Sequence, residues 1–188
     1  MTAPTLSLTQ KQTLAAVRAF VLAAIGSDGT TVPAVKGQIN RVPSPGTDDY
    51  VVMTPNGRGD IATPATTYHD GTFDQVAGPG LRADQASDEV HVQLDFHGPG
   101  SYDLSTMVHT LVRTSFATDA FAASGFDVTP LFATEPHQQP FVNENQQVET
   151  CWVFDLHLQC NPVVTNGQDF FDTVTVGLIE ADSPSPSN

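Results

Sequence analysis

Six histidines, two cysteines and 21 Asp and Glu are the groups in this 188-residue chain best suited to hold a metal or move a proton. His91 and His97 fall on one polar face of an alternating run. Six residues of extended chain separate them by roughly 20 Å, too far to share an ion. His157, with Asp155 two residues before it, belongs to another run and could neighbour one of them. A solvated or subunit-facing polar sheet surface is the favoured reading of these histidines, ahead of a cross-strand metal site. His69, followed by Asp70, and His137 fall in segments that read as loops. Cys151 and Cys160 are nine positions apart in one strand-like run. That places them on opposite faces and about 30 Å apart. A disulfide needs Cα atoms within about 7 Å, so both read as thiols, and without further soft ligands they make a poor metal pair.

Other catalytic signatures are missing. No G-x-S-x-G elbow occurs, so a Ser/His/Asp set can be assembled only on paper. The runs Asn56-Gly57-Arg58-Gly59 and Gly98-Pro99-Gly100 match no phosphate-binding pattern and read as turns. Asp48-Asp49 and Asp88-Glu89 each flank a strand start; adjacent side chains point apart, so these carboxylates read as hydration and edge protection. The sequence therefore predicts no catalytic residue, no cofactor and no metal site.

The elements that would position these groups are unevenly legible. Leu14, Val17, Val21, Ala24 and Ile25 recur at helical spacing over Gln10 to Ile25, with Thr9 and Gln12 as a capping box and Gly26 as the stop. Val35 to Val42 and Tyr50 to Met53 read as paired strands joined by a Pro/Gly turn. Residues 56–88 read as an irregular loop or arm, with only Tyr68 to Val76 resembling a strand. Val90, Val92, Leu94 and Phe96 then alternate with His91, Gln93, Asp95 and His97, the period of a strand with one buried face. Asp103 is placed to cap a helix with the stripe Leu104, Met107, Val108, Leu111 and Val112. Thr118 to Ala123 reads as a last helical turn or a separate short helix ended by Gly125, and Phe126 to Phe132 is extended but broken by Pro130. Gln138 to Gln147 reads as an amide-rich loop before the longest strand, Val148 to Cys160. A last strand is predicted over Phe170 to Ile179, followed by a disordered tail over 181–188. These elements predict one α+β domain over residues 1–180, with a mixed, mostly antiparallel sheet and two main helices on one face.

Charge narrows the partners. The formal net charge is -14, and the residues after Arg113 include ten Asp and Glu but no Lys or Arg. Binding to phosphates or to an anionic membrane surface relies on basic residues, so neither is expected. No apolar run reaches the roughly 18 to 20 residues of a membrane span, and the first residues lack a signal peptide's basic region.

Several spaced blocks carry a resemblance. Gly37-Gln38-Ile39-Asn40-Arg41-Val42-Pro43, Tyr50-Val51-Val52-Met53-Thr54-Pro55 and Val92-Gln93-Leu94-Asp95-Phe96-His97-Gly98-Pro99 resemble the opening blocks of a family of neck proteins of tailed bacteriophages and prophages. Ser124-Gly125-Phe126-Asp127-Val128-Thr129-Pro130-Leu131, Gln139-Pro140-Phe141-Val142-Asn143 and Asn161-Pro162-Val163-Val164 are similar to later ones. The resemblance covers about Leu14 to Glu180. It implies a tail-terminator-like fold and a neck terminator, a hexameric ring between the head completion or connector proteins and the tail tube. It also implies a location in the virion neck after synthesis in the host cytoplasm, and an axial channel through which genomic DNA passes without specific binding.

The family brings no catalytic residues. Under the resemblance Arg41 becomes a candidate for a salt bridge to a neighbouring acidic subunit, and Phe132 and Phe141 become candidate interface plugs. If the acidic C-terminal stretch lines the channel, several of Asp119, Glu135, Glu144, Glu149, Asp155, Asp169 and Asp172 point at the ring axis, where like charge keeps phosphates from adhering. Two other readings stay open: a tail tube or baseplate ring component, and a small enzyme or ligand-binding domain with titratable groups converging on an apolar pocket.

Overall fold

A computed structural model describes residues 3–37, 49–69, 80–142 and 148–168. Within them the chain runs β1 (Thr5–Leu6), α1 (Gln10–Ala24), β2 (Ala34–Lys36), β3 (Tyr50–His69), β4 (Gly80–His97), α2 (Ser101–Val112), α3 (Ser115–Ala123), β5 (Val128–Ala133), β6 (His137–Val142), β7 (Val148–Cys160) and β8 (Val163–Gln168). These strands form one sheet centred on β4. On one side β4 pairs antiparallel with β3 along nearly its whole length. On the other it pairs first with β8, through Gly80–Gln85, and then with β7, through Asp88–His97. β5 and β6 follow one another along the far edge of β7, and β1 borders β8. The fold is α+β with a predominantly antiparallel sheet, the class the sequence predicts.

The alternation in β4 and β7 decides which face is covered. Val92, Leu94, Phe96, Phe154, Leu156 and Leu158 are 1% exposed or less and face the helices. Phe96 and Phe154 lie on opposed strands with ring centroids 5.4 Å apart. Leu14, Val17, Phe20 and Val21 of α1 come down on this layer, and Phe20 meets Phe121 of α3 at 5.4 Å. Each such aromatic or aliphatic side chain contributes about 1.5–3 kcal/mol by leaving water.

Helix ends are set locally and at long range. Thr9 and Gln12 close the predicted capping box: the Thr9 N–H donates to Gln12 Oε1 at 2.8 Å, and the Gln12 N–H donates to Thr9 Oγ1 at 3.4 Å. Thr9→Ala is expected to cost about 1 kcal/mol, read as a shift in urea midpoint without a change in slope. At α2 the outcome differs from expectation. The helix starts at Ser101, Asp103 sits inside its first turn, and the carboxylate reaching the helix start is Asp49, which accepts the Gly100 N–H at 2.8 Å. Asp49 therefore anchors the helix and does more than hydrate a strand end. The turn before it needs glycine, because Gly98 has φ +101°.

Other expectations need correction. Residues read as an irregular arm are mostly a regular β-hairpin, since β3 continues to His69 through Pro55 and Pro64 and β4 begins at Gly80. Register shifts beside Pro55 and between Ala62 and Ala65 absorb the prolines. β2 lies parallel to β3, Ala34 opposite Val51, and is not its hairpin partner. A connection of about a dozen residues is long enough for that crossover. The amide-rich stretch supplies β6, because backbone pairing along β7 is indifferent to polar side chains on an outer strand. Of the two readings open for Thr118 to Ala123, the separate short helix holds, and it starts earlier, as α3 from Ser115. Met107, predicted on the buried stripe of α2, is 44% exposed. The predicted strand over Phe170 to Ile179 and the tail 181–188 lie outside the described residues.

Candidate functional site

The sheet face away from the helices carries the groups with chemical potential. By register His91 lies opposite His157, Gln93 opposite Asp155, Asp95 opposite Val153 and His97 opposite Cys151. The His91 and His157 rings are 4.1 Å apart. One oxygen of Glu89 lies 2.6 Å from His157 Nδ1 and 3.3 Å from His91 Nε2, so a single carboxylate accepts from both imidazoles. The hydrogen bond from His157 is the main reason the Glu89 carboxyl is held below the usual range. Phe132 stacks on the other side of His157, with centroids 4.1 Å apart and planes 15° from parallel. Nearby, Asn56 donates to Asp155 Oδ1 at 3.3 Å. Asp95 accepts from Gln93, yet burial, with Asp155 adding like charge, raises its pKa.

The far end of this face is dry. His97 is 5% exposed and stacks on Tyr50 at 4.5 Å with its ring nearly parallel. Burial pushes its pKa down to about 4, so the imidazole is neutral at pH 7. Beside it, burial pushes the Cys151 thiol up to about 12. Cys160 faces the opposite layer and is pushed up to about 11 for the same reason. Both cysteines are free, as their spacing predicts, and both are buried; at neutral pH neither is a thiolate able to attack or to bind a soft metal.

A cleft of about 400 Å³ opens between the start of α1 and the strands, lined in part by Thr9, Thr13, Leu14, Arg58, Asp88 and Cys160. Asp88 is buried there, with Oδ2 2.7 Å from Arg58 Nη2. The neighbouring Cys160 thiol is protonated at neutral pH.

The residues singled out from sequence disperse over both layers. Phe132 is 42% exposed and belongs to the histidine face, not to the core. Phe141 lies in β6 opposite Glu149. Glu149 and Asp155 share the face away from the helices, whereas Asp119 is exposed on α3 in the helix layer and Glu135 is exposed between β5 and β6. Arg41, Glu144, Asp169 and Asp172 lie outside the described residues. Sequence reasoning missed Glu89, and reading Asp88-Glu89 as edge hydration is corrected: one member is buried against Arg58, the other bridges two histidines. The signal that would have found it is the register of β4 on β7, and no local pattern encodes it.

The hairpin formed by the outer halves of β3 and β4 makes a second distinctive surface. Every residue from Asn56 to His69 is exposed, a stretch about 40 Å long. No described strand pairs with the outer edge of β3 beyond β2. Leu6, Ile61, Tyr68, Leu81 and Val164 are 40–57% exposed on or beside this arm. Thr66 donates to Asp84 across the two strands, and Arg82, two residues away on β4, donates to the same carboxylate.

One family model takes in most of the chain. Residues 11–182 match the family model described as phage neck terminator protein. Among solved structures, the chain is similar to the sheath/tube terminator of an extracellular contractile injection system, PVC, in its extended state, with 11% identity and a TM-score of 0.43. That alignment takes in 96% of this chain and 66% of the other, so this chain spans slightly under two thirds of its length. A search of curated proteins finds no match.

Proposed function

This chain belongs to the phage neck terminator protein family, and from that membership we propose that it is a structural virion protein forming a ring, hexameric as the family resemblance implies, at the head–tail junction. It does no chemistry there. One side of the ring meets the head completion or connector protein, the other meets the tail tube, and DNA passes along the axis. The observation that carries the reading is the exposed arm. A long hairpin with apolar side chains in solvent and an open strand edge suits a neighbouring subunit. A contact between the arm and a different surface of the next copy is heterologous, and heterologous contacts close into rings.

Charge supports a direction for the channel. Glu89, Asp95, Glu149 and Asp155 lie on the face away from the helices, while Arg58 and Arg82 project by register to the helix side. Among the described strand residues this face carries no Lys or Arg, as a surface that repels phosphate requires.

The test is the mass of the purified full chain by sedimentation over a wide concentration range, together with its presence in purified particles. A ring-sized species is expected. The double variant Ile61→Asp/Leu81→Asp, at two exposed arm positions, is expected to run as a monomer with an unchanged melting curve. A chain that stays monomeric at every concentration and is absent from particles would sink the reading.

A further inference from the structure

We propose that Glu89, His91 and His157 form a binding site for one divalent transition-metal ion of the zinc class, bridging β4 and β7 on the face away from the helices. This goes beyond the ring reading and does not depend on it. One ligand atom from each of the three residues lies within 4.8 Å of the others. Two ligands at about 2.0–2.2 Å from a tetrahedral zinc sit somewhat over 3 Å apart, so the cluster is already near the required size. The carboxylate oxygen now accepting from both imidazoles stands between the two rings. On binding, the carboxylate moves aside by a fraction of an ångström, and each imidazole carries its single proton on the ring nitrogen away from the ion, so that lone pairs at His157 Nδ1 and His91 Nε2 replace N–H donors.

The donor set chooses the metal. Two imidazoles and one carboxylate suit zinc, cobalt or nickel, whereas magnesium and calcium require a shell of oxygens that these residues do not supply. Three protein ligands leave a fourth position for water, or for a group from another molecule.

The scaffold holds the ligands in place. His91 and His157 are directly opposed on paired strands in the interior of the sheet, and Glu89 is on the same face two residues from His91. Phe132 fixes the plane of His157 by stacking. Gly57 fixes the space for His91: a Cβ there would stand 3.2 Å from His91 Nδ1, so a side chain would press on the ring. Rigid placement of this kind separates a metal site from histidines that merely share a surface.

The experiment is titration of zinc chloride into the chelator-stripped full chain by calorimetry, with magnesium chloride as the control and cobalt chloride read by its visible absorption. One zinc per chain, no magnesium heat and cobalt bands of a low-coordinate nitrogen–oxygen site are expected. His157→Ala and His91→Gln should each weaken zinc binding by at least about ten-fold, with Glu89→Gln intermediate. His69→Ala, at an exposed histidine on the arm, should change nothing. His91→Gln keeps the test decisive if loss of the more buried His157 disturbs folding. Absence of zinc binding by the wild-type chain, or binding unchanged by His91→Gln, overturns the proposal; either result leaves the sedimentation test of the ring untouched.

Discussion

Phe154→Ala is expected to lower the unfolding free energy by about 4 kcal/mol, within the range of about 3–5 for deleting a buried aromatic side chain. The side chain is fully buried, packs on Phe96 at 5.4 Å and meets His109 of α2 edge-on at 5.6 Å. Its loss leaves a cavity at the junction of strand and helix that the central strands cannot close, because each is held by pairing on both sides. For a chain of this length the change corresponds to a fall in Tm of roughly 8–16 °C. Phe132→Ala is the control. That ring is 42% exposed and rests on one histidine, so its removal is expected to cost less than about 1 kcal/mol. Equal losses from the two variants would show that the helix-covered face is not the core.

Acid is expected to destabilise the protein well above the range in which carboxylates titrate, with His97 as the cause. Its folded-state pKa is about 4 against an ordinary 6.5, so between these values the unfolded chain takes up a proton that the folded chain refuses. Stability from this group is complete above about pH 6.5 and declines as pH falls to about 4, by about 3 kcal/mol in all. Around the ring stand Tyr50, the protonated thiol of Cys151, and Glu149, whose oxygen lies 3.9 Å from Nδ1. Two other groups have smaller effects of opposite sign. Glu89, with its lowered pKa, adds a loss at lower pH, while Asp95, with its raised one, opposes the loss. Urea unfolding at pH 7.5 and 4.5 measures the effect. His97→Gln, which cannot gain the proton, should show a much smaller difference between the two pH values, and an undiminished difference would assign the acid sensitivity elsewhere.

What could be read from sequence follows the range of the interactions. α1 with its capping box, and β7 from Val148 to Cys160, were legible because a cap spans three residues and strand alternation repeats every two. The covered face of β4 was legible for the same reason. The hairpin was not, since Pro55, Pro64 and several glycines in residues 55–80 read as breaks, whereas irregular register allows the ladder to pass them. β1 and β8 escaped notice because each is short and borrows its pairing from elsewhere. The Glu89, His91 and His157 cluster depends on aligning residues 66 positions apart in sequence, from His91 to His157. A single-residue slip would put one histidine on the other face.

The succession of β7 and β8 along one edge of β4 bears on how the arm carries load. β7 grips Asp88–His97, Asn161 and Pro162 step across, and β8 grips Gly80–Gln85, with the Ala86 N–H donating to the Pro162 carbonyl at 3.0 Å over the step. Antiparallel hydrogen bonds lie perpendicular to the strands. A pull along the arm therefore loads the ladder in shear, with the bonds from Asp88 to His97 sharing the force, and does not peel them one by one. The hairpin is continuous with the central strand of the molecule, and tension on it reaches the core as it would through a tie-rod.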